Sequence, residues 1–449
     1  MRDFLFSIVC GIRFVGRSSV GLLLTLVVAV PSAFAARLAN PFGIDAPELS
    51  APGKFPVGLR HIALVDPGRP AVLEFDAKRN EAPLRDRPLA VDVWYPALAA
   101  GGQKPVTYRA SLPSPGDKPP AEFSLQGVAL LNARPDGSRL PLVVISHGFS
   151  NATAALAWLG ENLASKGYVV AAIRHEDASI AKPQNILDPL LNRPLDVAFV
   201  TKQLIERLGS EQLIDPERVA LIGYSMGGYG VLTAAGAPLD PAGPVMGYVP
   251  GGLMVPYGRG AAKQSLVHVA PIRAVIGISP VGGAPLNAWG PQGLAELHCP
   301  LLLISGDDDR TVNYETGART FFDQAVNVQR YLLTYRGAGH ALGLGPTPSS
   351  MRGTLWDVEW FEDPVWRKDR IMGINAHFIT AFLDLYLRDD KSRAEYLHVA
   401  VADSAKGEWP EKNAWGYEAY SPGTGNITLW KGFMHRRATG LQMLEASPR

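Results

Sequence analysis

The sequence predicts an α/β fold, a mostly parallel sheet covered by helices, from three observations. From Leu59 onward, apolar runs of strand length alternate with segments of helical period, as in strands joined by crossover helices. Leu140–Ser146 is apolar almost throughout, the composition of a strand buried on both faces. Gly223-Tyr224-Ser225-Met226-Gly227 follows another such run directly and leads straight into a helical segment. At about 150 residues per domain, the 449 residues allow three domains, but α/β domains often exceed that size. One large domain over 55–390 with additions fits equally well.

The elements follow in order. Arg13 and Arg17 precede the apolar Val20–Val30, and Pro31 is followed by Ala33-Phe34-Ala35. Basic residues, a short apolar core and a small-residue end read as a secretory signal over 1–35, cut after Ala35, so a secreted or periplasmic protein is expected. The apolar core has 11 residues against the roughly 20 that a spanning helix needs, so no membrane anchor is expected after its removal. Leu59–Val65 and Leu89–Tyr95 are early strands, the second alternating as a half-exposed strand does. Residues 97–140, rich in Pro, Gly and charge, read as a long surface excursion. Then come the strand Leu140–Ser146, a helix over Ala154–Lys166 ended by Gly167, the strand Tyr168–Ile173, a helix over Leu195–Leu208 and the strand Val219–Ile222. Residues 236–271 are apolar, Gly/Pro-rich and aperiodic, and are placed to act either as a cap over a pocket or as a plain surface loop. Ala274–Ser279, Leu301–Ser305 and Arg330–Thr334 complete the strands, with a helix over Tyr314–Ala325 and a closing amphipathic helix over Arg370–Leu387. The C-terminal extension 391–449 carries Trp409, Trp415 and Trp430 among turn residues and could pack as an appended subdomain.

Composition removes several function classes. Lys and Arg number 43 against 42 Asp and Glu. Cleavage after Ala35 takes away Arg2, Arg13, Arg17 and Asp3, leaving 40 against 41. Such a balance gives no electrostatic footprint for nucleic acid or for an anionic membrane. Cys10 leaves with the signal, so Cys299 stands alone, with no disulfide partner and no thiolate metal site.

The chemistry concentrates at 223–227. A serine on a sharp strand-to-helix turn is held in strained backbone geometry, so its neighbours two residues away must be glycine-sized, and Gly223 and Gly227 meet that need. Ser225 is then the nucleophile. A serine hydroxyl needs a base, and the base an orienting acid. His340 is the base expected: it lies in Gly337-Ala338-Gly339-His340, a short loop after the last predicted strand, at the sheet edge that carries the serine. His298 precedes a strand and His377 falls inside a helix.

The acid should follow the preceding strand, where Asp307, Asp308 and Asp309 are consecutive. Asp309 is favoured because it lies three residues past Gly306, where the turn can swing a carboxylate toward the histidine, and Asp307 is the alternative. A metal site of the three aspartates is disfavoured, since consecutive carboxylates lack the alternate spacing of a calcium loop. No cofactor or metal is called for. The oxyanion hole needs two amides, Met226 after the serine and Phe149 in Ser146-His147-Gly148-Phe149. His147 is read as organising that loop, and Trp158 and Tyr229 as lining the substrate pocket.

Leu142-Val143-Val144-Ile145-Ser146-His147-Gly148-Phe149, with Trp158-Leu159 and Leu163 to Ala171, resembles bacterial α/β-hydrolases of the dienelactone-hydrolase-like and platelet-activating-factor-acetylhydrolase-like group. Val91-Asp92-Val93-Trp94-Tyr95-Pro96 is similar to that group's opening strand, and the likeness covers about residues 55 to 390. The resemblance implies an α/β-hydrolase fold and a cofactor-free Ser-Asp-His esterase or lipase-like enzyme, with Ser225, Asp309 and His340 at the family's catalytic positions. Two departures limit it. Dienelactone hydrolases use cysteine where this chain has Ser225, and the acetylhydrolases place their acid after the strand that here reads Ala274–Ser279, where no aspartate follows. The function expected is hydrolysis of carboxylic esters, small or polymeric, through an acyl-enzyme. An amide or peptide hydrolase with the same triad and a catalytically silent binding protein are the alternatives.

Overall fold

Along the strand Leu140–Ser146, Leu142 and Val144 enter one apolar core while Val143 and Ile145 enter another on the opposite face. An uninterrupted apolar run is what a strand covered on both sides requires. The computed structural model describes residues 40–98, 102–114, 118–407, 429–434 and 436–449. The predicted signal 1–35 and Trp409 and Trp415 lie outside the described residues.

The sheet has ten strands in the order β12-β11-β10-β9-β8-β6-β7-β2-β1-β5. These are β1 (Val57–Pro70), β2 (Leu84–Pro96), β5 (Leu130–Leu131), β6 (Leu140–Ser146), β7 (Val169–Arg174), β8 (Ile214–Tyr224), β9 (Ala274–Ile278), β10 (Leu301–Gly306), β11 (Arg330–Tyr335) and β12 (Leu441–Ala446). The centre, β7 through β11, is parallel, and β2 and β12 join antiparallel. Ser146 is in register with Gly223, Tyr224 with Ile278, and Gly306 with Tyr335. Four loops therefore leave the sheet at one edge, those after β6, β8, β10 and β11. In the excursion 97–140, β3 (Thr107–Leu112) and β4 (Ala121–Gln126) form a separate hairpin. Tyr108 pins it: its hydroxyl accepts from Trp94 Nε1 at 2.7 Å and donates to Glu161 at 2.7 Å.

Five helices matter to the site: α1 (Ala157–Ser165), α2 (Leu187–Ser210), α3 (Met226–Ala234), α4 (Leu355–Phe361) and α5 (Lys368–Leu387). Helices α2 and α3 cover one face, α1 and α5 the other. Helix α2 begins eight residues before the predicted Leu195 because it continues through Pro194. Proline has no N–H for the carbonyl four residues back, and the Tyr229 hydroxyl donates to that carbonyl, Leu190 O, at 2.9 Å.

Two segments left open by the sequence find their place in the structure. In residues 236–271, Leu239, Val245, Val249, Met254 and Val267 are buried in the core shared with α2 and α3, and Tyr248 lines the cavity described below. The described residues of the C-terminal extension pack on the main sheet and its helices. Strand β12 pairs along the whole of β11, and Trp430 and Phe433 pack on Phe378 of α5. Among the described residues no helix is long and apolar enough to cross a membrane.

Candidate active site

Strand β8 ends at Tyr224 and α3 starts at Met226, so Ser225 alone makes the turn, with φ 55° and ψ −117°. That positive φ is costly for a residue with a Cβ. The crowding around it explains the glycines: a Cβ at 223 would lie 2.2 Å from Gly227 O, and one at 227 would lie 2.0 Å from Ser146 O. The bend is held by Ser225 N–H donating to Ile278 O at 2.9 Å.

The loops after β10 and β11 bring the other two predicted residues to this point. Ser225 Oγ is 3.0 Å from His340 Nε2, and His340 Nδ1 is 2.8 Å from Asp309 Oδ2. With Nδ1–H donated to the carboxylate, Nε2 is left to accept the serine proton. Asp309 Oδ1 accepts from the amides of Thr311 and Val312. Burial alone would push this carboxyl up, but the hydrogen bond and charge of His340 and the two amides hold it below the usual carboxylate range.

The three aspartates point apart. Asp307 accepts from Gly337 N at 2.5 Å, Asp308 pairs with Arg310, and Asp309 faces the histidine.

Gly148, Phe149 and Met226 line the same cavity as Ser225 and His340. Neither the Phe149 nor the Met226 amide donates to another group among the described residues. Met226 is the first residue of α3, where the helix dipole favours negative charge. His147 turns away: Nδ1 donates to Gly148 O at 2.7 Å and Nε2 accepts from His175 N at 3.3 Å. Burial, with the Arg193 charge and His175, pulls its imidazole down to about 3, so it is neutral.

The cavity measures about 870 Å³, near the upper end of small-ligand pockets. Its walls include Phe149, Ile186, Val281, Leu286, Leu355 and Trp360. Trp158 and Tyr229, expected to line it, do not. Trp158 packs on Phe42 and donates from Nε1 to Gly343 O, so it braces the chain after His340. Tyr229 is fully buried against Trp289, where its hydroxyl serves the carbonyl freed by Pro194.

Several residues at the site escaped the sequence reading. The Tyr224 ring lies 5.3 Å from the His340 ring, and its hydroxyl donates to His340 O at 3.3 Å. Asp363 accepts from Gly339 N at 2.7 Å, and Lys368 Nζ donates to Ala341 O at 2.5 Å, gripping the histidine's backbone on both sides. Burial lowers the Lys368 ammonium to about 8 against the opposing charges of Glu362 and Asp363. The one signal for this region was the aromatic cluster Leu355-Trp356-Asp357-Val358-Glu359-Trp360-Phe361, set in what reads as a connection between strand and helix.

A parallel sheet with a strained serine after β8, a carboxylate after β10 and an imidazole after β11 defines an α/β-hydrolase. Residues 134–245 match the family model described as PET hydrolase-like. The chain is 37% identical over 200 residues to Cutinase 2 of Thermobifida cellulosilytica, an overlap of 44% of this chain and 59% of that one. It is 26% identical over 248 residues to the acylamino-acid-releasing enzyme of Sus scrofa, an overlap of 49% of this chain and 32% of that one. The chain thus spans less than two thirds of the length of these curated relatives. A ferulic acid esterase structure from Streptomyces cinnamoneus superposes with a TM-score of 0.47 at 22% identity, covering 77% of this chain and 94% of that one.

Proposed function

We propose that the protein hydrolyses carboxylic esters through an acyl-enzyme formed on Ser225. The observation that carries this reading is the aligned relay, serine oxygen 3.0 Å from the imidazole and imidazole 2.8 Å from a buried carboxylate, opening on an apolar cavity. Likeness to Cutinase 2 of Thermobifida cellulosilytica over 200 residues supports an ester as the substrate.

In this reading Ser225 Oγ attacks the ester carbonyl while His340 Nε2 takes its proton. Asp309 keeps the imidazole in its productive tautomer and stabilises the imidazolium. The carbonyl oxygen, now negative, faces the Met226 and Phe149 amides. Collapse of the tetrahedral intermediate expels the alkoxide, which takes the proton from His340. Water then repeats the sequence on the acyl-serine and releases the acid. The size and apolar walls of the cavity favour bulky, uncharged esters, small or polymeric, and the 1–35 segment supports export across a membrane.

The test is hydrolysis of p-nitrophenyl esters by the purified protein. Ser225→Ala should abolish turnover and fluorophosphonate labelling while changing stability by no more than about 1 kcal/mol. Retained turnover would overturn the assignment. The acylamino-acid-releasing relative makes amide cleavage the second reading, and matching p-nitroanilides run in parallel distinguish it.

A further inference from the structure

Behind the Gly148–Phe149 peptide lies an ion pair with no role in the steps above. Arg193, on α2, is fully buried, and Asp177 is nearly so, with side-chain exposures of 0% and 3%. Arg193 Nη1 donates to His147 O at 2.9 Å and Nη2 donates to Asp177 Oδ2 at 2.5 Å. The same Oδ2 accepts from Ser150 N at 2.9 Å. One ion pair therefore holds both ends of the two-residue stretch, the carbonyl before Gly148 and the amide after Phe149. Ser150 is fixed further, at φ 55°, by its hydroxyl donating to Ala178 O at 3.3 Å and accepting from Ile180 N at 3.1 Å.

Arg193 also meets the other half of the site. A Cβ at Gly230 would come within 2.7 Å of Arg193 Cγ, so α3 packs directly on the arginine's stem. Helix α3 supplies the Met226 amide. One side chain thus sets the position of the Phe149 amide against that of Met226.

Stability does not explain this pair. Burying two charges costs about what their attraction returns, and apolar replacements of similar shape are often as stable. The pair is also incompletely satisfied: Arg193 Nε and Asp177 Oδ1 have no hydrogen-bond partner among the described residues. Arg193 and Asp177 meet further buried charge in Arg87 and Asp196 and the imidazoles of His147 and His175. A charged pair buried at that cost, bonded to the residues on either side of Gly148 and Phe149, is placed to act on the oxyanion donor.

We infer that Arg193 and Asp177 are positioning residues that hold the Phe149 amide where it meets the developing oxyanion. The inference rests on the serine-hydrolase reading and adds to it a part of the machinery that touches no substrate. Because the Phe149 amide acts on the tetrahedral state more than on the bound ester, its displacement should appear in kcat and leave KM nearly unchanged.

The test compares wild type, Arg193→Met, Arg193→Lys and Asp177→Asn on p-nitrophenyl butyrate, with active sites counted by fluorophosphonate titration. A trifluoromethyl ketone, which adds to the serine as a tetrahedral oxyanion, is the second probe. Arg193→Met should lower kcat per titrated site by about 10–100-fold, less than the roughly 100–1,000-fold cost of deleting an oxyanion donor because the amide is displaced and not removed, with KM within about twofold. The ketone's inhibition constant should rise by the same factor. Lysine reaches one of the two acceptors and should restore part of both effects. Asparagine at 177 keeps the shape and loses the charge, and it provides the measurement if Arg193→Met does not fold. Folded variants with wild-type kcat per site, or with an unchanged ketone constant, would overturn the inference. A wild type inert to ester and fluorophosphonate alike would instead overturn the reading on which it rests.

Discussion

Asp307 and Asp309 are two residues apart on one loop and hold the two ends of another. Asp307 accepts from Gly337 N, where the loop leaves β11, and Asp309 accepts from His340 Nδ1, where it delivers the imidazole. Only the second contact acts on a ring that gains and loses a proton in the proposed reaction. Replacement of Asp309 by Asn should therefore lower kcat about 10⁴-fold, the scale of that change at a triad acid, whereas Asp307→Asn should cost less than about tenfold. Steady-state kinetics on both variants decides between them, and equal losses would contradict the geometry. The serine and histidine were legible in the sequence because glycines mark them: Gly223 and Gly227 answer a clash that chain geometry creates locally. The acid was narrowed to a pair, since the direction of a carboxylate depends on the turn's dihedral angles. Trp158 and Tyr229 were misread for another reason. Their partners, Gly343 and Leu190, lie 185 and 39 residues away, and a large aromatic near the serine looks the same in sequence whether it faces a cavity or a core.

At the scale of elements, strands buried on both faces announced themselves, since Leu142–Ile145 and Leu301–Ile304 have no polar position to confuse the period. Elements that depend on distant partners did not. Helix α2 crosses Pro194 because a tyrosine from α3 supplies the missing donor, and no local rule foresees that. Strand β12 is an edge strand with a mixed burial pattern, and its place is set by β11. The least legible element is the stretch through α4 to Lys368, which walls the cavity with Leu355 and Trp360 and holds the histidine loop with Asp363 and Lys368. Asp363 accepts from three amides, those of Gly339, Val365 and Trp366. Asp363→Ala should leave these donors unpaired and cost about 1–3 kcal/mol. It should also lower kcat about tenfold by loosening His340, a misplacement of catalytic geometry. Denaturant unfolding and active-site-titrated kinetics check the two effects, and a loss of stability with kcat per site unchanged would show that the grip is structural only.

For the whole molecule, nearly balanced charge hides an uneven interior. His147, His175 and His377 are buried in the fold, and burial pulls their imidazoles down to about 3, about 4 and about 3. Unfolded, each would take a proton near pH 6.5. Between pH 6.5 and about 4 the unfolded chain therefore binds protons that the native state refuses. Stability is complete above that window and falls as the pH drops through it, by about 1.4 kcal/mol per pH unit for each group. The depressed carboxylates of Asp177 and Asp309 extend the loss below the ordinary aspartate range, near pH 3.9. His377 permits a test away from the active site: it lies on α5, and its Nδ1 accepts from Leu49 N at 3.1 Å. Asparagine there can keep an acceptor for that amide without offering a proton site. Unfolding free energies at pH 7, 6, 5 and 4.5 should decline for both proteins, with His377→Asn shallower by about 1.4 kcal/mol per pH unit across the window. Parallel slopes would mean that His377 protonates equally in both states and is not held neutral by the core.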